Sequence, residues 1–252
     1  MSLSAGSREY LLALADDEHM IGARHTNWIG LGPFLEEDLA LCSIAQDELG
    51  HAIALYEHLL ADEGRPTDEV DAFALMREPG EYRSCRLAER ECADWNDSLV
   101  RHWLYDRAET LRWNALVGSS DERVAQIAER ALREETFHLA HAEQFMARIT
   151  PDRPRPILDS IDTLLPIALE IWQPVDGEAD ALAEGVTTSS SSELAIAWEN
   201  DVRDDLSRWG LDVDWPTVAD DPATARTTRI DGFDDFLVDL RAVIVLDESA
   251  VW

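Results

Sequence analysis

A carboxylate and an imidazole three residues apart occur twice in this chain, each time inside an apolar helical stripe. That pairing restricts the fold more than any other stretch. The first copy is Ala45-Gln46-Asp47-Glu48-Leu49-Gly50-His51 and the second is Arg133-Glu134-Glu135-Thr136-Phe137-His138. Residues i and i+3 of a helix project from one face, about one turn apart. Glu48 and His51 therefore point together, in line with Leu41, Ile44 and Leu55, and Glu135 and His138 do the same among Ile127, Ala131, Ala142 and Phe145. Polar pairs on the face meant for burial need a partner inside.

The same periodicity organises the rest of the chain. A first helix is expected over about residues 7–27, with Glu18 in the stripe Leu11, Leu14, Ile21, His25. Two glycines and Pro33 break it, Pro33 suiting a first helical turn. A second helix then runs to about Asp62. Reflecting Glu18 through a turn near residue 30 sets it opposite about residue 42. Residues 64–90 read as a crossover, with a short helix near Glu69–Met76 and a turn at Pro79-Gly80. A third helix is expected over about 88–117, where Asp106 interrupts Leu99, Trp103, Trp113 and Val117. Glu109 shares its face with His102, Tyr105 and Arg112, a wetter set, so Asp106 is the preferred inward carboxylate. Ser119 and Glu122 suggest a capping box for a fourth helix ending near Ile149. Further helices are expected at 157–170, 193–209 and 233–245, with a linker or helix lead-in at 187–192 and an irregular excursion at 210–230.

The fold expected is all-α: a ferritin-like four-helix bundle over 1–150, built from helix hairpins 7–62 and 88–149 and a crossover. Additional C-terminal helices over 151–252 pack on it within the same domain. One long crossover is what ferritin-like bundles use.

Composition removes several function classes. The chain has 21 basic residues, all Arg, against 52 acidic ones, a formal charge of −31. Such a surface repels nucleic acid and anionic membrane, and fits adaptation to high salt, where charges are screened. Cys42, Cys85 and Cys92 form no CxxC, so neither a disulfide framework nor a zinc site is indicated. With no signal-like N-terminus and no apolar run of about 18 residues, a cytoplasmic protein is expected.

Glu18 precedes Glu48 by 30 positions, and Asp106 precedes Glu135 by 29. Each half is a hairpin carrying one carboxylate on its first helix and a Glu-x-x-His on its second. Two such hairpins supply Glu18, Glu48, His51, Asp106, Glu135 and His138, the ligand pattern of dinuclear iron or manganese carboxylate bundles. Four carboxylates neutralise two divalent ions, so the cluster survives burial. The oxygen-and-imidazole set suits iron or manganese. Asp47 and Glu134 adjoin the ligand glutamates. Because a metal-bound His donates its free N–H to an outer carboxylate, Asp47 is expected to orient His138, and Glu134 His51.

These residues resemble a known family, the ferritin-like subunits of the phenylacetyl-CoA ring-epoxidase. Gln46-Asp47-Glu48-Leu49-Gly50-His51 with Leu55-Tyr56 is similar to the second-helix signature of its catalytic subunit, and Arg133–His138 to that subunit's Lys-Glu-Glu-Ser-Phe-His. Glu18, Trp28 and Trp103-Leu104-Tyr105-Asp106 resemble its two other ligand helices. Leu14-Ala15-Asp16-Asp17 and Gly32–Leu41 look more like the family's non-catalytic structural subunit, which has an apolar residue and Gln in place of Glu48 and His51. The resemblance implies a di-iron oxygenase component (manganese being the alternative metal) that activates O2 and epoxidises the ring of phenylacetyl-CoA or another aryl-CoA in phenylacetate degradation. It implies as partners a homologous ferritin-like subunit, in a homo- or hetero-oligomer, and an electron-donating reductase. The alternatives are a scaffolding subunit of the same complex and a ferritin-like iron oxidase without an organic substrate.

Overall fold

The computed structural model describes residues 2–216 and 226–246, and among them the chain is helical with no strand. Four long helices make the bundle: α1 (Ala5–Thr26), α2 (Leu35–Asp62), α5 (Trp95–Val117) and α6 (Glu122–Ile149). The crossover carries two short helices, α3 (Val70–Leu75) and α4 (Arg86–Glu89). After the bundle come α7 (Pro154–Ala168), α8 (Glu178–Ala183), α9 (Ser191–Arg208) and α10 (Phe233–Leu240). The architecture is the ferritin-like one, with α1 packed on α2 and α5 on α6.

Helix ends differ from the sequence reading where a side chain offers a better cap. Ser4 accepts from the Ser7 N–H and starts α1 early. The third bundle helix does not begin near residue 88. The chain breaks after α4, and Asp94 restarts it by accepting from the N–H groups of Asn96 and Asp97 at 2.8 and 3.0 Å. The capping box Ser119/Glu122 does not form, because Asp121 accepts from Arg123 and Val124, as an aspartate at this position does well. Pro33 lies before α2, which Phe34 precedes without a side-chain cap. Short α8 has no counterpart in the sequence reading. The last helix stops at Leu240, followed by a 3-10 turn at Ile244–Leu246. Part of the excursion expected at 210–230 lies outside the described residues.

The core splits into two apolar layers along the bundle. One joins Leu11, Leu14, Leu55, Leu59, Trp113, Leu116 and Ile127. The other joins Met20, Ile21, Trp103, Leu104, Phe145 and Met146 to α7 and α9. Trp103 Nε1 donates to Asp205, and Trp198 Nε1 to the Leu104 carbonyl, each at 3.0 Å, so α9 is fixed on α5. Between the layers lies a slab of buried charged side chains.

Gly22 sets the spacing of α1 on α2. A Cβ at this position would stand 2.9 Å from Glu48 Cβ and 3.2 Å from the Leu49 nitrogen. Gly22→Val is therefore expected to force the helices apart at the level of Glu48, an overpacking cost of about 1–3 kcal/mol. Thermal melting should fall together with metal content. A variant with wild-type melting and metal would show that the close approach is dispensable.

Candidate metal centre

Glu18, Glu48, His51, Asp106, Glu135 and His138 all project into the slab, and none is more than 3% exposed. Glu18 does not face residue 42. Its Oε2 lies 3.2 Å from His51 Nδ1. The turn is asymmetric: α2 has five more residues between its start and Glu48 than α1 has between Glu18 and its end, about 7 Å of helix. Residues 27–34 climb that height outside the bundle.

Both imidazoles turn Nδ1 inward. His51 Nδ1 stands 3.8 Å from Glu48 Oε2 and 3.7 Å from Glu135 Oε1. His138 Nδ1 stands 3.4 Å from Glu48 Oε1 and 3.3 Å from Glu135 Oε1. The two oxygens of Glu48 thus face different histidines. Both Nε2 atoms turn outward: His51 to Glu134 at 2.8 Å, and His138 to Asp47 at 3.3 Å. These contacts cross between α2 and α6, and each joins the acid to the histidine that the sequence pairs with it.

Three groups of donors lie close enough to share an ion: Glu18, Glu48 and His51; Glu48, Glu135 and His138; and Glu48, Asp106, Glu109 and Glu135. Glu109 is the residue that sequence reasoning passed over. Its face is not wet: His102, Tyr105, Glu109 and Arg112 are all buried. Arg112 can be interior because Asp17 on α1 pairs with it at 2.5 Å. The other Asp17 oxygen takes Arg226 at 2.7 Å, which draws the C-terminal region over this face. The signal available was the spacing 102, 105, 109, 112, itself a helical stripe, beside two consecutive aspartates on α1.

Of the ten oxygens on Glu18, Glu48, Asp106, Glu109 and Glu135, nine make no hydrogen bond. A buried, unsatisfied charged oxygen costs several kcal/mol, so the cluster requires either cations or protons. Without a metal it takes protons. Burial, then Glu48, raises Glu18 to about 8 and Glu135 to about 7. Burial carries Asp106 and Glu109 well above the usual carboxylate range, Glu109 further through Glu135 and Glu18. Burial opposes ionisation of Glu48 too, but His138 and His51 outweigh it and hold Glu48 low. In return the glutamates overcome burial at the imidazoles, raising His138 to about 12 and His51 well above its ordinary value. Oxygen donors and neutral imidazole, with outer carboxylates on the far nitrogens, are what iron or manganese would take. The donor set fits a dinuclear centre.

The model of one protein family, described as phenylacetic acid catabolic protein, matches residues 4–231. Among curated proteins, one of the subunits of the 1,2-phenylacetyl-CoA epoxidase of Escherichia coli (strain K12) is 27% identical over 198 residues, 77% of this chain and 78% of that one.

Proposed function

The chain belongs to the phenylacetic acid catabolic protein family, and from that premise we propose that it is the di-iron oxygenase component of an aryl-CoA epoxidase in phenylacetate catabolism. The observation that carries the reading is the cluster of nine unsatisfied carboxylate oxygens around two inward-facing imidazoles. Glu18, Glu48 and His51 would hold one ion, Glu48, Glu135, His138 and Asp106 the other. Two irons bound there would supply oxygen activation, with electrons from a reductase. The chain's own part is to bind, orient and keep dry. Glu48 faces both positions, and Glu134 and Asp47 fix the ring planes. The apolar layers led by Trp113 and Trp103 exclude water from either side. No described helix is long and apolar enough to cross a membrane.

The test is oxygen uptake by the ferrous-loaded chain with a reductase. We expect uptake stimulated by phenylacetyl-CoA and lost in Glu135→Ala. A loaded chain whose uptake ignores phenylacetyl-CoA would reject the reading. The likeness to one subunit of a multi-subunit epoxidase supports a second reading, a chain that holds a partner within the complex. Leu31, Phe34, Leu35 and Leu39, exposed together at the start of α2, would offer that partner an apolar surface. On this reading partner binding survives Glu48→Ala.

A further inference from the structure

Asp106 differs from the other proposed ligands in where its support comes from. Its Oδ1 lies 3.1 Å from His102 Nδ1 on the same helix, in contact without making a hydrogen bond. The other nitrogen of His102 lies 3.4 Å from His141 Nδ1 on α6. The other nitrogen of His141 lies 3.0 Å from Glu37 Oε2 on α2. His25, from α1, sets the edge of its ring against His102, with centroids 5.3 Å apart and planes at 87°. All four bundle helices therefore meet at one column, which begins at a carboxylate of the proposed centre and ends at Glu37, beside the partly exposed His141.

We infer that His102, His141 and Glu37 form a positioning column that holds Asp106 to one of the two metal positions. The inference rests on the dinuclear reading of the centre. Aspartate is one methylene shorter than the other carboxylates, so where its oxygens fall depends on what grips the far one. Among the described residues, His102 is the ring nitrogen at that oxygen. His102 is itself buried, between Asp106 on one side and His141 on the other. His141 packs against the other nitrogen of His102 and fixes the ring plane that His102 presents to Asp106. Glu37 in turn meets the other nitrogen of His141 and holds that ring in place. The column does for a carboxylate ligand what Asp47 and Glu134 do for the two histidines, through two rings instead of directly.

The two metal positions are thereby supported differently, and cobalt(II) reads the difference because its visible absorption reports coordination. Titrating the metal-free full chain with cobalt(II) should show two equivalents. In His141→Phe and in Glu37→Leu, one equivalent should weaken by about 10–100-fold, the usual effect of losing an outer partner, with an altered absorption band. The other equivalent should keep its affinity and spectrum. Glu37→Gln, which can still accept from His141, should stay close to wild type. Two unaltered equivalents in His141→Phe would overturn the column. Equal weakening of both equivalents alongside a lower melting temperature would also overturn it, as general packing. A wild-type chain that takes up no cobalt would instead remove the dinuclear reading, and the column with it.

Discussion

Glu48→Ala is expected to take the chain from about two bound metal ions to almost none, a larger loss than removal of any other single carboxylate. The reason is geometric. Glu48 is common to all three donor groups, whereas Glu18, Asp106 and Glu109 each enter one. Its two oxygens face different histidines, His51 and His138. Removing Glu18 leaves the Glu48, Glu135, His138 and Asp106 set intact, so that variant should still hold one ion. Removing Glu48 strips a donor from both positions at once. The metal-free protein should suffer as well. Glu48 is the buried acid held ionised by the two imidazoles, and breaking a buried pair by deleting one partner costs about 3–5 kcal/mol. Glu109→Gln is the opposite case. It removes an acid that burial, Glu135 and Glu18 all disfavour as an anion, so the metal-free chain should melt at the same temperature or higher. Metal per chain by plasma mass spectrometry and melting after chelation separate the two variants. Retention of both ions by Glu48→Ala would refute the shared role.

The centre was legible to the extent that polar residues interrupted apolar periods. Glu18, Glu48, His51, Asp106, Glu135 and His138 each occupy a position where leucine or alanine would satisfy the helix, and burial there demands a partner. Glu109 obeyed the same rule on a neighbouring stripe, but that stripe consists of His, Tyr and Arg. Its interior character depends on Asp17 and Arg226, which are distant in sequence. Long-range ion pairs leave no periodic trace. Nor did the height of Glu18 relative to Glu48, which is set by a turn that does not fold back symmetrically. Glu37 reads from sequence as a first-turn acid favourable to a helix dipole. That it meets His141 depends on how α2 overhangs the bundle. The caps followed local chemistry that several residues could supply, and Asp94 and Asp121 supplied it.

Metal-free protein should lose stability as pH rises from 6.5 to 8, and metal-loaded protein should not. Below 6.5 the titrating groups oppose one another. His19, His25 and His102 are pushed low, chiefly by burial. They favour the unfolded, protonated chain as pH falls, while the raised carboxylates favour the folded one. Above 6.5 these three histidines, with His141, which burial and His102 also lower, progressively lose their protons in the unfolded chain too and drop out within about one pH unit. What remains has one sign. Glu18, raised to about 8, and Asp106 and Glu109, raised well above their ordinary value, keep protons that the unfolded chain has already lost. His51 and His138 hold theirs as well, His138 up to about 12. A group whose folded pKa is raised contributes stability below its unfolded pKa and loses that contribution as pH climbs through the folded one. Each such group gives a slope of up to about 1.4 kcal/mol per pH unit. Metal ions take the places of these protons, so uptake should release them and affinity should rise with pH. The difference in melting temperature between loaded and chelated protein should widen between pH 6.5 and 8. Calorimetry in two buffers of unlike ionisation enthalpy should count more than one proton released per centre filled. A constant difference, with no proton release, would mean that the carboxylates are already ionised in the metal-free chain, and that the protons assigned to them are not there.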